Sequence, residues 1–201
     1  VQQSYEELFS NYSNKLENEL KGFGVLNYVS SHDDGSPFDK ERTKTYESAT
    51  KLLLCPGASQ VYYGDESARS LIIEGTVGDA TLRSNMNWDE IASNEATKAV
   101  LMHWQKLGKY RSNHPSVGAG VHTMLSESPY IFERTVAKGT YADAVVIGLD
   151  LAAGEKELTV GNVFKDGEEV LDAYSNTKAI VKNNKVALNT PFAIVLLEKI
   201  N

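Results

Sequence analysis

The chain has 201 residues, 41% of them hydrophobic and 23% charged, a balance that excludes disorder as the main state. Lys and Arg number 20 and Asp and Glu 27, giving a formal net charge of −7, so a polyanion such as nucleic acid is not expected as a partner. No apolar run reaches the ~18 residues of a membrane span, and the single cysteine, Cys55, follows three leucines and reads as a small buried hydrophobe.

The chain begins at Val1 with no initiator Met, which suggests a processed protein or a piece of a longer one. Ser4-x-x-Glu7 has the form of a capping box, and Tyr5, Leu8, Phe9, Tyr12, Leu16 and Leu20 fall on one helical face; Gly22 and Gly24 would end that helix. Residues 25–31 are a short apolar run without helical period, which predicts a strand covered on both faces, as in a parallel sheet. It runs into the polar cluster His32-Asp33-Asp34-Gly35. Asp39 can cap a second helix over residues 40–54, with Tyr46, Ala49 and Leu53 inward, and Pro56-Gly57 stops it. Residues 59–63 predict a second buried strand, closed by Gly64-Asp65-Glu66. A long irregular stretch, 67–94, precedes a third helix over 95–109 with Ala96, Val100, Trp104 and Leu107 inward. The order helix, strand, helix, strand, helix signals right-handed β/α units.

Past His114-Pro115 the texture changes. Gly118 and Gly120 suggest a hinge. About six short strands then predict an antiparallel sandwich, the best being 130–136, 144–151, 158–163 and 192–198. Residues 180–188 read as a hairpin around Asn183-Asn184, because asparagine tolerates the positive φ of a tight turn. A domain boundary is expected near residues 116–120. Two parallel strands with three helices leave open edges and uncovered faces, so the first half reads as the tail end of a larger α/β domain, completed by other parts of a longer protein or by another copy of the chain.

The sharpest chemical cluster is His32-Asp33-Asp34, at the C-terminal end of a predicted buried strand, where active sites of α/β sheets and barrels lie. A carboxylate there can stabilise a developing cation, act as acid or base, or bind a metal. The plainer alternative is a turn, with Asp34-Gly35 bending the chain and Asp33 capping backbone. Tyr62-Tyr63-Gly64-Asp65-Glu66 would end the neighbouring strand and face the same pocket; taken alone, the tyrosines read as core packing with hydroxyls at the rim. The four histidines show no metal-ligand spacing. His103 reads as packed or surface, Arg83 as a surface ion pair or a partner for a site carboxylate, and Trp88 as a plug anchoring its loop or a platform for a sugar. Asn11-Tyr12-Ser13 has the glycosylation pattern but falls inside the first helix.

These residues bear a resemblance. Tyr28-Val29-Ser30-Ser31-His32-Asp33 resembles the fourth conserved region of the α-amylase family of glycoside hydrolases (family 13), commonly Phe/Tyr-x-x-Asn-His-Asp at the end of the seventh barrel strand. The run from Pro56 to Glu66 is similar to the eighth-strand motif Gly-x-Pro-x-x-Tyr-Tyr-Gly-x-Glu, Leu82 to Asp89 to the Arg-x-x-Met-x-Trp-Asp segment that follows, and Leu107 to Pro115 to a last barrel helix ending Arg-x-x-His-Pro. Ser31 stands where Asn is common, and Ala58-Ser59 where Ile/Thr-Pro is. The resemblance implies the C-terminal part of a TIM (β/α)8 barrel over residues 1–117, followed by an antiparallel β-sandwich domain over 118–201.

By the same resemblance Asp33 is the third catalytic carboxylate, stabilising an oxocarbenium-like sugar, and His32 binds hydroxyls of that sugar; Asp34 has no fixed role in the family and is read as backing or lining the site, and Tyr63 as a further substrate-binding residue. The nucleophile and the acid/base, which a retaining enzyme holds ~5–5.5 Å apart, would come from strands upstream, so this chain by itself is expected to be inactive. The resemblance implies an α-glucan or maltooligosaccharide substrate, no cofactor in this chain, room for calcium in the parent enzyme, and an extracellular or periplasmic setting. Self-association of the incomplete barrel is a further expectation. Competing readings are a non-catalytic amylase-like interaction module, a sugar-binding role for the sandwich, and a His-Asp metal phosphohydrolase.

Overall fold

The structure is a computed structural model in which residues 4–200 are described. They form two compact units: one takes the residues up to Gly22 and those from Tyr110 onward, the other is Phe23–Lys109. This grouping by contact is drawn elsewhere than the 1–117 and 118–201 division, because the first helix packs on the β-rich half.

That helix, α1 (Tyr5–Glu17), carries the capping box its sequence predicts: Glu7 N–H donates to Ser4 Oγ (3.2 Å) and Ser4 N–H to the Glu7 carboxylate (2.9 Å). It stops five residues short of Gly22, at the cap Asn18.

In the Phe23–Lys109 unit, β1 (Leu26–Asn27) pairs in parallel with β2 (Ala58–Ser59), Leu26 opposite Ala58 and Asn27 opposite Ser59. Between them lies α2 (Thr45–Leu53), and after them α3 (Trp88–Ser93) and α4 (Glu95–Asn113), whose last turn from Tyr110 belongs to the other unit. The strands fall at the predicted runs but are only two residues long, not the seven of 25–31 or the five of 59–63, and these runs are not buried throughout: Leu26 in β1 is 57% exposed, and beyond the strands Tyr28 is 53% and Val61 43% exposed. A parallel strand is buried when it has neighbours on both edges and helices on both faces; among the described residues β1 and β2 have only each other. The second helix starts five residues later than residue 40. Arg42 has φ +56°, a left-handed conformation that no right-handed helix can run through. Asp39 therefore turns the chain ahead of the helix, its carboxylate accepting from the N–H groups of Thr43 (2.8 Å) and Lys44 (3.0 Å). Ala49 and Leu53 are buried as predicted, but Tyr46 is partly exposed. On α4, Val100, Trp104 and Leu107 are buried, while Ala96 is exposed and Thr97 takes its place. Cys55 is buried, as expected.

The other unit continues with α5 (Pro115–Ala119) and the strands β3 (Val121–Ser126), β4 (Tyr130–Lys138), β5 (Tyr141–Leu149), β6 (Gly154–Thr159), β7 (Glu169–Asp172), β8 (Thr177–Ile180), β9 (Lys185–Thr190) and β10 (Val195–Lys199). Six of them form one antiparallel sheet in the order β3-β4-β5-β10-β7-β8, and β6 pairs with β9 in a second. Ile131, Val146 and Leu197 from the first sheet meet Leu158, Val186 and Leu188 from the second in one buried cluster, the core of a sandwich. On the opposite face, the Phe9 ring of α1 lies 5.4 Å from Phe132, and the Tyr110 hydroxyl donates to the Leu197 carbonyl (2.7 Å).

The sandwich is as expected, with differences in detail. Residues 121–126 and 169–172 were not expected as strands, and the strand looked for at 158–163 lies at 154–159. The hinge at Gly118 and Gly120 is instead the end of α5, where a Cβ on Gly120 would collide with the Ser116 carbonyl and the Thr135 backbone. The Asn183-Asn184 turn has both residues at positive φ, +52° and +61°, as expected, but the hairpin is a single bridge between Lys182 and Lys185, since β8 pairs with β7 and β9 with β6 in different sheets. No helix among the described residues is long and apolar enough to cross a membrane.

A buried polar chain keys α1 to the sheet. Arg134, wholly buried, donates from Nε to His122 Nδ1 (2.9 Å), so the imidazole proton sits on Nε2 and is given to the Glu6 carboxylate (2.8 Å), which also accepts from Tyr130 (2.8 Å). Burial first, and then the Arg134 charge, hold the His122 pKa down to about 4.

Candidate functional site

The parallel pairing of β1 with β2 sets their C-terminal ends side by side. His32-Asp33-Asp34 follows the first and Tyr62-Tyr63 the second. Ser30, buried at the end of the first run, donates to Asp65 (2.6 Å), which also pairs with Arg42 (2.8 Å); this fixes the backbone beneath the cluster. Ser31 is also buried, and its hydroxyl donates to Asp33 Oδ1 (2.7 Å). From there the chain turns outward: the side chains of His32 and Asp33 are 64% and 62% exposed, with His32 Nε2 3.8 Å from Asp33 Oδ2. Asp34 is half-buried and accepts the Ser36 N–H (2.9 Å), which is the turn role foreseen as the plainer reading of the cluster.

The Ser31 hydroxyl, then the His32 and Arg83 charges, hold the Asp33 carboxyl below its ordinary value. Asp33 is thus a fixed anion at neutral pH. It is suited to bind hydroxyl groups or to stabilise positive charge, and unsuited to donate a proton.

The long 67–94 stretch is strapped across both strand ends. Arg83 Nε donates to the His32 carbonyl (3.2 Å), while the next residue, Ser84, accepts the Tyr63 hydroxyl on its carbonyl (2.9 Å). Tyr62 donates to the Leu82 carbonyl (2.9 Å). Residues 82–84 therefore hold the two clusters together. Ser67 and Asn87 exchange hydrogen bonds at the far end of the strap.

Under the strap lies a residue that the sequence did not single out. Arg69 is almost fully buried; its guanidinium stacks 3.9 Å from the Tyr63 ring centre, Nε donates to the Tyr63 carbonyl (3.0 Å), and Nη1 bonds the Ser84 carbonyl and hydroxyl. Gly64, at φ +87°, leaves the space that this side chain occupies. No local pattern marks it, since an arginine five residues after a Tyr-Gly turn looks like ordinary surface charge. Trp88 does not plug the loop: it opens α3 and is 68% exposed.

The remaining histidines lie elsewhere. His103 is buried beside Tyr46 and Thr50, and burial holds its pKa down to about 4. His114 sits between Asp143 (3.0 Å) and Glu198 (2.8 Å). The Asn11-Tyr12-Ser13 pattern is inside α1, with Ser13 buried. Among the described residues no three of His, Cys, Asp or Glu are grouped so as to hold a metal ion.

No protein-family model matches this chain. In sequence it is 40% identical over 121 residues to the periplasmic alpha-amylase of Escherichia coli (strain K12), a match over 60% of this chain and 17% of that protein. In fold it is similar to AmyP in complex with maltose (TM-score 0.63, 16% identity, 96% of this chain and 47% of that one) and to an Anoxybacillus alpha-amylase (TM-score 0.60, 20% identity, 98% and 45%). The chain thus spans less than half the length of these solved structures and about a sixth of the curated relative. In sequence and in fold it resembles the α-amylase family, and the part that it resembles is the C-terminal portion, late α/β elements followed by an antiparallel sandwich.

Proposed function

We propose that the chain is the C-terminal portion of a retaining α-amylase-like glycoside hydrolase that cleaves α-glucosidic bonds in starch or maltooligosaccharides. Residues 1–117 would close the catalytic barrel and residues 118–201 form the sandwich domain that follows it in the chain. Asp33 is the transition-state stabiliser. His32, Asp34 and the exposed side of Tyr63 contact substrate.

The observation that supports this reading most is the state of Asp33: exposed, ionised, anchored on one oxygen and beside His32, in the loop that follows the parallel strand β1. A sugar losing its leaving group flattens and gains positive charge, and a fixed carboxylate whose contacts tighten at that point lowers the barrier. The sequence likeness to a periplasmic alpha-amylase and the fold shared with a maltose complex support that substrate class. The nucleophile and the acid/base lie upstream of this chain. Any calcium of the longer enzyme takes its ligands there too. The exposed Leu26, Tyr28 and Val61 are covered by that upstream part, or by a second copy when the chain is alone.

Asp33→Asn in the longer enzyme tests the assignment. Turnover on maltooligosaccharides falls by about a hundredfold or more, the scale of several kcal/mol of contacts made in the transition state; a kcat near wild type removes Asp33 from the reaction. In the same assay the 201-residue chain alone is inactive, and measurable turnover by it overturns that claim.

A further inference from the structure

We infer that Ser31 is the positioning residue of Asp33: its buried hydroxyl fixes one carboxylate oxygen, Oδ1, and leaves Oδ2 as the oxygen presented to substrate. The inference rests on the catalytic role proposed for Asp33 and names what sets that side chain's aim.

Three observations carry it. First, donor and acceptor lie on opposite sides of the surface. Ser31 is 8% exposed, whereas the Asp33 side chain stands mostly in solvent. An exposed aspartate samples several rotamers, and the freedom it loses on meeting a substrate weakens the contact; an anchor removes that loss beforehand. Second, the anchor is itself held. Ser30, next to it, is hydrogen-bonded to Asp65 within the Arg42–Asp65 ion pair, so the backbone carrying the Ser31 hydroxyl is pinned beneath the site. The Asp33 N–H also leans on the same hydroxyl oxygen (3.4 Å), closing a two-residue loop. Third, the two carboxylate oxygens are unequal. Oδ1 takes the Ser31 proton at 2.7 Å, while Oδ2 faces His32 Nε2 at 3.8 Å, the other group proposed to touch the same sugar. A serine here supplies a donor on the shortest possible arm, where the resembling sequences commonly carry the longer amide of asparagine.

The test begins on the chain itself, with no activity needed. The Asp33 carboxyl carbon is followed by NMR through an acid titration in wild type, Ser31→Ala and Ser31→Thr. The wild-type midpoint lies below the ordinary aspartate value; Ser31→Ala moves it up towards that value, and Ser31→Thr, which keeps the hydroxyl, leaves it low. Backbone amide spectra away from residues 29–36 stay unchanged, which shows that the fold is kept. An unmoved midpoint in Ser31→Ala overturns the anchoring, and so does a threonine variant that is folded yet behaves as alanine does. In the longer enzyme Ser31→Ala lowers kcat by roughly ten- to a hundredfold, the cost of a misaimed group, with a smaller change in KM. Wild-type kcat there, where Asp33→Asn is inactive, overturns the positioning role. A harmless Asp33→Asn overturns the proposed function instead, and is told apart because the anchoring is read on the chain alone.

Discussion

The two units of this chain handle their unfavourable groups in opposite ways. The sandwich unit closes on itself: both sheets feed one apolar cluster, and its buried arginine, histidine and tyrosine are joined in a hydrogen-bonded chain that ends on Glu6. The Phe23–Lys109 unit does not. Its only sheet is a two-residue pair, and its aromatic side chains cluster at the strand ends with several faces in solvent. The candidate site lies in this less finished unit. Stability and chemistry are thus separated along the chain, and a change should be felt very differently on the two sides.

The largest contrast expected is in apolar truncation. Leu197→Ala in β10 removes a fully buried side chain from the sandwich core and should cost about 2–5 kcal/mol. Leu26→Ala in β1 removes an exposed one and should stay within about 0.5 kcal/mol. Both tryptophans, Trp88 and Trp104, lie in the Phe23–Lys109 unit, so tryptophan fluorescence follows that unit while hydrogen exchange of the β-strand amides follows the sandwich. Denaturation read by the two probes should show Leu197→Ala chiefly in the second. Equal costs for the two leucines would erase the distinction.

The same contrast governs what could be read from the sequence. β4, β5 and β10 were legible because apolar residues in short runs alternate or crowd between turn signals, and α1 because its cap is written in Ser4 and Glu7. β3 escaped because it is a sheet-edge strand whose one buried side chain, His122, is polar, so no apolar alternation marks Val121–Ser126; β7, only four residues long, offers too little pattern. In the other unit the positions of β1 and β2 were legible and their burial was not, because an apolar run reports what could be covered rather than what covers it. His32-Asp33-Asp34 stood out as three polar residues closing an apolar run. Arg69 and the part played by Ser31 did not, since each depends on a partner brought in by the fold: Tyr63 and Ser84 for the arginine, and an outward turn at residue 32 for the serine.

Acid should reach both units through one buried histidine each. His122 in the sandwich and His103 on α4 both have pKa values held down to about 4, mainly by burial. An unfolded histidine takes its proton near 6.5. Above that pH both states are neutral and the groups contribute no pH dependence. As pH falls from about 6.5 to 4 the unfolded chain binds a proton that the folded chain refuses, so each site loses stability, up to about 3 kcal/mol by pH 4. For His122 the refusal has a visible cause: a proton on Nδ1 would face the Arg134 guanidinium that now donates to it. Thermal melts between pH 7 and pH 4 should therefore fall in both probes. His122→Gln should flatten the dependence of the sandwich, and His103→Gln that of the other unit. A variant that flattens both would show the units unfolding as one.

The smallest effect expected separates them by backbone strain. Among the described residues six non-glycine residues have positive φ. In the sandwich unit these are Asp150, Asn176, Asn183 and Asn184; in the other they are Arg42 and Ala68. Asparagine and aspartate enter the left-handed region readily, because their short polar side chains bond locally, whereas alanine and arginine meet a cost of about 1–2 kcal/mol. Ala68, at φ +53°, sits between the Asp65 turn and the buried Arg69, so the strain is held where the strap over the strand ends begins. Ala68→Gly relieves it and adds flexibility to the unfolded chain, for a net gain of about 0.5 kcal/mol. Asn184→Gly has little strain to relieve and should be neutral or slightly destabilising. If glycine stabilises position 184 and not position 68, the strain is not concentrated beside the site, and the Phe23–Lys109 unit is open at its edges without being strained within.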